Sequence, residues 1–211
     1  MYTAIIIEPR RHLALPLVLN NFNENLSEEW KIRILCGNGN KDMCDEIVKS
    51  MPRADVVQLN VDNFTSAEYS KFCASEEFHE HVPTETFLVF QTDTLILNKD
   101  KLNKFLMYDY VGAPWARSHK VGNGGLSIRK KSKMLEIIKT TPYQRGNEDV
   151  YFVDQTAVQL NKPSGSEAME FSVETIYHPE PFGVHGISNR PDIFNKLAEV
   201  YPLLNEWKSL Q

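Results

Sequence analysis

Apolar and polar positions divide the chain into short runs whose spacing predicts strands alternating with helices. Thr3-Ala4-Ile5-Ile6-Ile7 is a β-branched apolar run and reads as a buried first strand. It stops at Glu8-Pro9, because proline cannot donate to a ladder. Leu13 to Phe22 has helical apolar spacing, and Trp30 to Leu35 alternates like a second strand. Asp42 to Met51 follows as a helix stopped by Pro52, then Ala54 to Leu59 as a third strand. That alternation predicts a parallel sheet with crossover helices. Thr65 to Phe78 reads as a helix with Thr65 or Ser66 at its N-cap and Glu68 in the first turn. Phe87 to Phe90 is wholly apolar, as in a strand buried on both faces. It ends at Gln91-Thr92-Asp93, and apolar residues resume at Leu95-Ile96-Leu97.

The second half predicts a short helix over Asp100 to Met107, an extended piece at Tyr110 to Pro114, and a strand over Gly124 to Arg129. Lys130 to Thr140 reads as a helix with Met134, Leu135, Ile137 and Ile138 inward. Another helix opens at Asn147-Glu148-Asp149, its acids where the helix dipole favours them. Lys162 to Ser166 reads as a loop, and Ile193 to Leu210 as an amphipathic closing helix. The expected fold is one α/β domain over residues 1–211, with a mainly parallel, mixed central sheet flanked by helices. There is no internal repeat and no low-complexity segment.

Composition narrows the class. With 211 residues, 42% hydrophobic and 24% charged, the chain is long enough for one sizeable core and ordinary for a globular domain. A net charge of −5 argues against a dedicated nucleic-acid surface, which is normally basic. The three cysteines, Cys36, Cys44 and Cys73, form no CxxC pair; the odd count fits a reducing compartment better than a disulfide framework, and the expected location is cytoplasmic. No apolar stretch approaches the roughly 20 residues of a membrane span, so no integral membrane segment is expected.

The candidate chemistry clusters at turns. Asp93 lies just past a buried strand, where α/β sheets bind ligands. Asn123-Gly124-Gly125 is a turn that permits close backbone approach, and Cys36-Gly37-Asn38-Gly39-Asn40 is another, though neither a GxGxxG fingerprint nor a P-loop. Arg10 and Arg11 follow the first strand and are candidates for a diphosphate or a nucleotide base, or for a solvated turn. Taken singly, each has a structural alternative: Asp93 as a solvated turn residue, Asn123-Gly124 as a hairpin turn, Glu148 and Asp149 as a helix cap, Trp115 as a core ring. His79 and His81 form a His-x-His pair with no third ligand nearby.

The set is more specific in order. Asp93 after a strand, the Asn123 to Gly125 turn, the Glu148-Asp149 pair and His185 after a glycine resemble the layout of GT-A-type glycosyltransferases, which share a DxD motif, a glycine-rich loop, an xED motif and a C-terminal histidine. FQTD, DYVGAPW, GNGGLSIR, NEDVYF, FSVE and PFGVH look like a group of glycosyltransferase-like proteins catalogued as a domain of unknown function. The resemblance runs from IIIEPR to PFGVH and departs at one point, Gln91, where the first DxD acid usually stands.

The resemblance implies a single Rossmann-like GT-A domain, with residues to about 97 binding a nucleotide sugar and residues from about 98 binding the acceptor. It implies transfer of a hexose-type sugar from a UDP- or GDP-sugar donor to a glycan or other hydroxyl acceptor, metal-assisted and inverting. Asp93 and His185 would hold Mn²⁺ or Mg²⁺, with Asp149 as the base and Glu148 able to share that role. Glu8, Arg10, Asn38, Gly39, Gln91, Thr92 and Asp93 would bind the donor; Trp115, Asn123, Gly124 and Gly125 would meet sugar. The alternative is a non-catalytic sugar- or nucleotide-binding module on the same fold. A two-metal phosphodiesterase or nucleotidyltransferase fits less well, since only one acid follows a strand.

Overall fold

In the computed structural model, which describes residues 1–211, the first half alternates strand and helix: β1 (Tyr2–Glu8), α1 (Leu15–Asn25), β2 (Trp30–Cys36), α2 (Lys41–Val48), β3 (Ala54–Gln58), α3 (Ser66–Cys73), α4 (Glu76–Glu80) and β4 (Thr86–Phe90). Then come β5 (Thr94–Ile96), a 3₁₀ turn at Lys99–Phe105, β6 (Tyr110–Gly112), β7 (Ser127–Lys130), α5 (Lys131–Thr140), α6 (Glu148–Asp154), α7 (Gly165–Phe171), β8 (Ser172–Val173), β9 (Gly183–His185), α8 (Pro191–Ala198) and α9 (Leu203–Ser209).

Six strands form the main sheet in the order β3-β2-β1-β4-β7-β6. The four N-terminal strands are parallel; β7 runs antiparallel to β4 and to β6. The sheet is therefore mixed and mainly parallel, flanked by helices. Its strands bury both faces in alternation. Ala4, Ile6, Leu88 and Phe90 belong to the larger core, and Ile5, Ile7, Phe87 and Val89 to the smaller one across the sheet. The period of two along a strand is thus hidden in the sequence, because both phases are apolar. A second, three-stranded sheet has the order β5-β9-β8, with β9 antiparallel to β5 and parallel to β8.

Several elements differ from the sequence expectation for local reasons. The helix expected over Thr65 to Phe78 is two helices. Thr65 and Glu68 form a capping box for α3, and the Ser75 hydroxyl accepts from the Phe78 N–H to start α4. The closing helix is also broken: α8 ends at Ala198, and Pro202, which has no N–H to give, stands at the N-cap of α9. Ser164 and Glu167 form a second capping box, so a helix begins at Gly165 inside the expected loop. Asp100 to Met107 is largely 3₁₀, and Gly124 and Gly125 precede β7 rather than joining it. In α5, Met134 and Ile137 are fully buried while Leu135 and Ile138 are only half-buried. All three cysteines are buried and free. No helix is long and apolar enough to cross a membrane.

Candidate functional site

Strand order reverses between β1 and β4: β2 and β3 extend the sheet to one side of β1, and the chain then returns to place β4 on the other. Loops leaving the carboxyl ends of two such strands diverge and open a crevice. A cleft of about 470 Å³ lies there, with a mainly polar lining. Glu8, at the end of β1, is buried in its wall and held by a two-point ion pair, with Arg10 Nε and Nη2 each 2.8 Å from a carboxylate oxygen. Arg10 lines the same cleft, its head half exposed. Its pKa is raised, first by the Glu8 hydrogen bond. Buried Asn40 ties this corner together. Its amide donates to the carbonyls of Glu8 and Arg10, and its Oδ1 accepts from the Gly37 N–H.

Gln91, Thr92 and Asp93 leave the end of β4 and also line the cleft. The Thr92 carbonyl accepts from the Trp207 indole N–H at 3.1 Å and the Gln211 amide at 2.9 Å, so α9 fixes this loop from behind. Pairing of β5 with β9 sets Thr94 opposite His185. Residues 92 positions apart thereby meet: His185 Nε2 is 3.4 Å from Asp93 Oδ2 and 3.2 Å from Gln91 Oε1. The Gln91 amide in turn donates to the Tyr69 hydroxyl.

On the far side of the cleft, Glu148 and Asp149 open α6. Glu148 is buried against Arg129, whose Nη2 lies 3.1 Å from Glu148 Oε1 and 3.2 Å from the Gly124 carbonyl. The guanidinium is fully enclosed, between the rings of Tyr110 and Phe152. Asp149 stays half-buried at the cleft, and its carboxyl is pushed above the usual aspartate range by burial and then by the Glu148 charge. The Asn147 side chain makes no capping bond to α6, and the Asp149 Oδ1 accepts from the Val150 N–H in its first turn.

The Asn123-Gly124-Gly125 turn joins the two sides. The Asn123 Oδ1 accepts from the Gly125 N–H, and the Ser127 hydroxyl donates to the Gly124 carbonyl. A Cβ on Gly124 would lie 2.5 Å from Glu148 Oε1 and 3.0 Å from Asp149 Cβ. One on Gly125 would lie 2.1 Å from His185 Nε2. Side-chain-free backbone here is what lets the acids and the histidine approach one strip of main chain.

An ion bound by both Asp93 and His185 at about 2.0–2.3 Å from each holds its two ligand atoms roughly 3 Å apart. The observed 3.4 Å separation suits that. No group of three His, Cys, Asp or Glu residues able to hold a metal forms anywhere in the chain. The remaining positions would fall to phosphate oxygens and water, as Mg²⁺ and Mn²⁺ sites commonly arrange. The donor chemistry therefore fits a divalent cation that arrives with a diphosphate.

Of the candidate residues, the structure brings Glu8, Arg10, Gln91, Thr92, Asp93, Asn123, Gly124, Gly125, Glu148, Asp149 and His185 to one cleft. Asn38, Gly39 and Trp115 lie outside its lining. Asn38 bonds to Asp62 and Gln58 at the surface, and Gly39 accepts from Arg11. Trp115 packs its ring over Gly122 and against the smaller core. Asp109 accepts from the Asn161 N–H instead of facing the cleft. His79 is buried among Phe78, Phe87 and Phe152, apart from His81. Sequence reasoning did not pick out Tyr69, Asn40 or Arg129. Tyr69 follows the Thr65-Glu68 capping box and faces inward; the other two carry no local signal.

The doubly flanked mixed sheet and the cleft at its switch point define the class: this is the fold of GT-A glycosyltransferases. Residues 53–185, more than half of the chain, match the family described as "Protein of unknown function (DUF5672)", and the chain belongs to that family. No curated protein sequence matches it. Among solved structures it is similar to the galactosyltransferase LgtC in complex with donor and acceptor sugar analogs, at 9% identity and TM-score 0.56, covering 99% of this chain and 100% of that one. It is also similar to a mannosyltransferase from Pyrobaculum calidifontis in complex with GDP-Man and Mn²⁺, at 14% identity and TM-score 0.53 over 72% of this chain. A third is the glycosyltransferase GlyE from Streptococcus pneumoniae, at 13% identity and TM-score 0.58 over 99% of this chain. The chain spans 50% of the mannosyltransferase and 64% of GlyE.

Proposed function

We propose that the chain transfers a sugar from a nucleoside-diphosphate sugar, of UDP or GDP type, to a hydroxyl of a glycan or other acceptor. The observation that carries this reading is the convergence on Gly124-Gly125 of a cation pair, Asp93 and His185, from one side and a desolvated acid, Asp149, from the other. Transfer needs both: stabilisation of a leaving diphosphate and removal of the acceptor's proton.

Asp93 and His185 would hold Mn²⁺ or Mg²⁺, which when bound offsets charge on the departing diphosphate. Glu8 and Arg10, at the β1 end of the crevice, would meet the nucleoside and diphosphate. Gln91 replaces an acid at the cation side and brings an amide, able to donate to a ribose hydroxyl or phosphate. The sugar would lie along the Gly124-Gly125 backbone. In the reaction the bond from C1 to the diphosphate oxygen breaks, with the electron pair leaving on oxygen. The acceptor oxygen bonds C1, and its proton passes to the Asp149 carboxylate. Asp149 adjoins Gly124 and His185 adjoins Gly125; with the base and its acceptor reaching C1 from the face opposite the leaving diphosphate, the transfer would invert. Glu148, engaged with Arg129, is less free to take a proton than Asp149.

Gln91 also supports a second reading, a binding module without turnover, because one fewer acid faces the cation. One experiment separates them: incubation with a panel of UDP- and GDP-sugars plus Mn²⁺, measuring donor binding and nucleoside diphosphate release. Release that is abolished in Asp93→Asn supports the transferase. Binding of a donor without release from any donor–acceptor pair supports the module, and neither binding nor release refutes both.

A further inference from the structure

The end of the cleft beyond β1 is closed by two loops that meet at Gly37. A Cβ there would lie 2.7 Å from the Pro9 carbonyl oxygen and 2.7 Å from that of Val61, so the loop after β1 packs against the loop after β3. The Asn38 N–H holds the Val61 carbonyl at 2.8 Å. Phe64 follows on the second loop and lines the cleft, as Arg10 and His12 do on the first. Its ring stacks on Phe72, with centroids 5.4 Å apart and planes at 20°, and is only half-buried. A ring anchored on one face and open elsewhere to a cleft is a platform for a flat heterocycle.

The polar groups at this end give hydrogen bonds rather than accept them. Glu8 is its one carboxylate; Asp93, Glu148 and Asp149 are grouped around His185 and the glycine turn. Both Glu8 oxygens are taken, Oε1 by the Arg10 backbone N–H and Nε, Oε2 by Nη2. The rest of the half-exposed guanidinium is left to donate. His12 Nδ1 accepts from the Ala14 N–H, so Nε2 carries the proton of the neutral ring and donates. Guanine would bring two adjacent donors, N1–H and its amine, which need a free carboxylate. Uracil brings two carbonyl oxygens, which need donors. We propose that this end of the cleft is a uracil site, with the base on Phe64 and its carbonyls met by Arg10 and His12, so that the donor is a UDP-sugar and not a GDP-sugar. The proposal rests on the reading of the cleft as a nucleotide-sugar site.

Calorimetric titration of the protein with UDP, GDP, CDP and ADP, each with Mn²⁺, measures the preference without turnover. UDP should bind at least about 10-fold more tightly than GDP, whose amine and N1–H would be left without acceptors. Phe64→Leu keeps an apolar contact with Phe72 but has no ring. It should melt near the parent temperature and bind UDP about 5- to 100-fold more weakly. Arg10→Met returns the Glu8 oxygens to the cleft. Both nucleotides should then bind less tightly, and the ratio of UDP to GDP affinity should fall. Equal or tighter binding of GDP, CDP or ADP by the parent overturns the uracil site and leaves the transferase reading standing. Parental UDP affinity in a folded Phe64→Leu, or the parental ratio in a folded Arg10→Met, overturns the uracil site as well. Binding of none of the four nucleotides overturns both the uracil site and the transferase reading.

Discussion

Gly125 and His185 are in such close contact that no side chain fits between them: a Cβ on Gly125 would lie 2.1 Å from Nε2 and 2.5 Å from the two neighbouring ring carbons. The obstacle is the end of a side chain, not backbone, so Gly125→Ala should fold by swinging the imidazole away. We expect a near-parent melting temperature, with Mn²⁺ affinity in the presence of UDP or GDP reduced at least about 10-fold, comparable to loss of a group that orients a ligand. Gly124→Ala differs, because its Cβ meets Glu148 and Arg129 in the buried pair. It should cost stability first. Thermal melts alongside Mn²⁺ titration check both, and a Gly125→Ala protein with parent affinity would place the ion elsewhere.

The Arg129–Glu148 pair predicts a large coupling. Both groups are almost fully enclosed, and Arg129 also supports the Gly124 carbonyl. Removing one partner leaves the other charge buried and unpaired, which typically costs about 3–5 kcal/mol. Arg129→Met should therefore destabilise strongly in urea unfolding. Replacing both charges, with Met at 129 and at 148, should recover most of that loss. Additive losses in the double-mutant cycle would mean the two side chains do not act as a pair.

The parallel half of the sheet was legible because burial on both faces leaves runs such as Phe87 to Phe90 with no polar residue. Gln91 to Asp93 was legible for a related reason, since polarity returns abruptly where such a strand ends. Arg129 was not. An arginine read locally after Ile128 looks like the solvated end of a strand, and only the fold encloses it with Tyr110, Phe152 and Glu148. Asn38 and Gly39 drew notice as small residues able to approach a ligand. The same smallness serves a tight turn that Asn40 braces from inside. Helix breaks at Ser75 and Pro202 were spelled out in the sequence, but the apolar periodicity runs across them.

His79 should make the fold sensitive to acid. Burial lowers its pKa from 6.5 to about 4, only partly opposed by the hydrogen bond from Nδ1–H to the Ser75 carbonyl. In the unfolded chain the ring takes up a proton near pH 6.5; in the folded chain it does not until about pH 4. Its contribution to stability is therefore intact above pH 6.5 and is lost as pH falls from there toward 4. The slope is at most about 1.4 kcal/mol per pH unit. His79→Phe, set among rings already present, should flatten urea-unfolding stability across that window relative to the parent. An unchanged slope would assign the acid sensitivity to other groups.

Asp149 is the residue on which the transferase reading is most exposed. Burial and the Glu148 charge raise its pKa, so the folded chain holds this proton more tightly than the unfolded chain does. The sign follows: above the ordinary aspartate range its ionisation favours unfolding, and the penalty is complete once pH exceeds the folded-state value. Asp149→Asn removes that penalty and keeps Oδ1, which accepts from the Val150 N–H at 2.7 Å. It should melt at or above the parent temperature near neutral pH. If Asp149 takes the acceptor's proton, the same variant should lose about 10²–10⁴-fold in turnover with donor affinity nearly unchanged. In the parent, the acidic limb of the kcat–pH profile should lie above the range of a free aspartate, because only the ionised form accepts a proton. A variant that is as stable as the parent yet inactive would be the mark of a base kept at a cost to the fold. Full transfer by Asp149→Asn would remove it from that role and leave Glu148, despite its bond to Arg129, as the next carboxylate to replace.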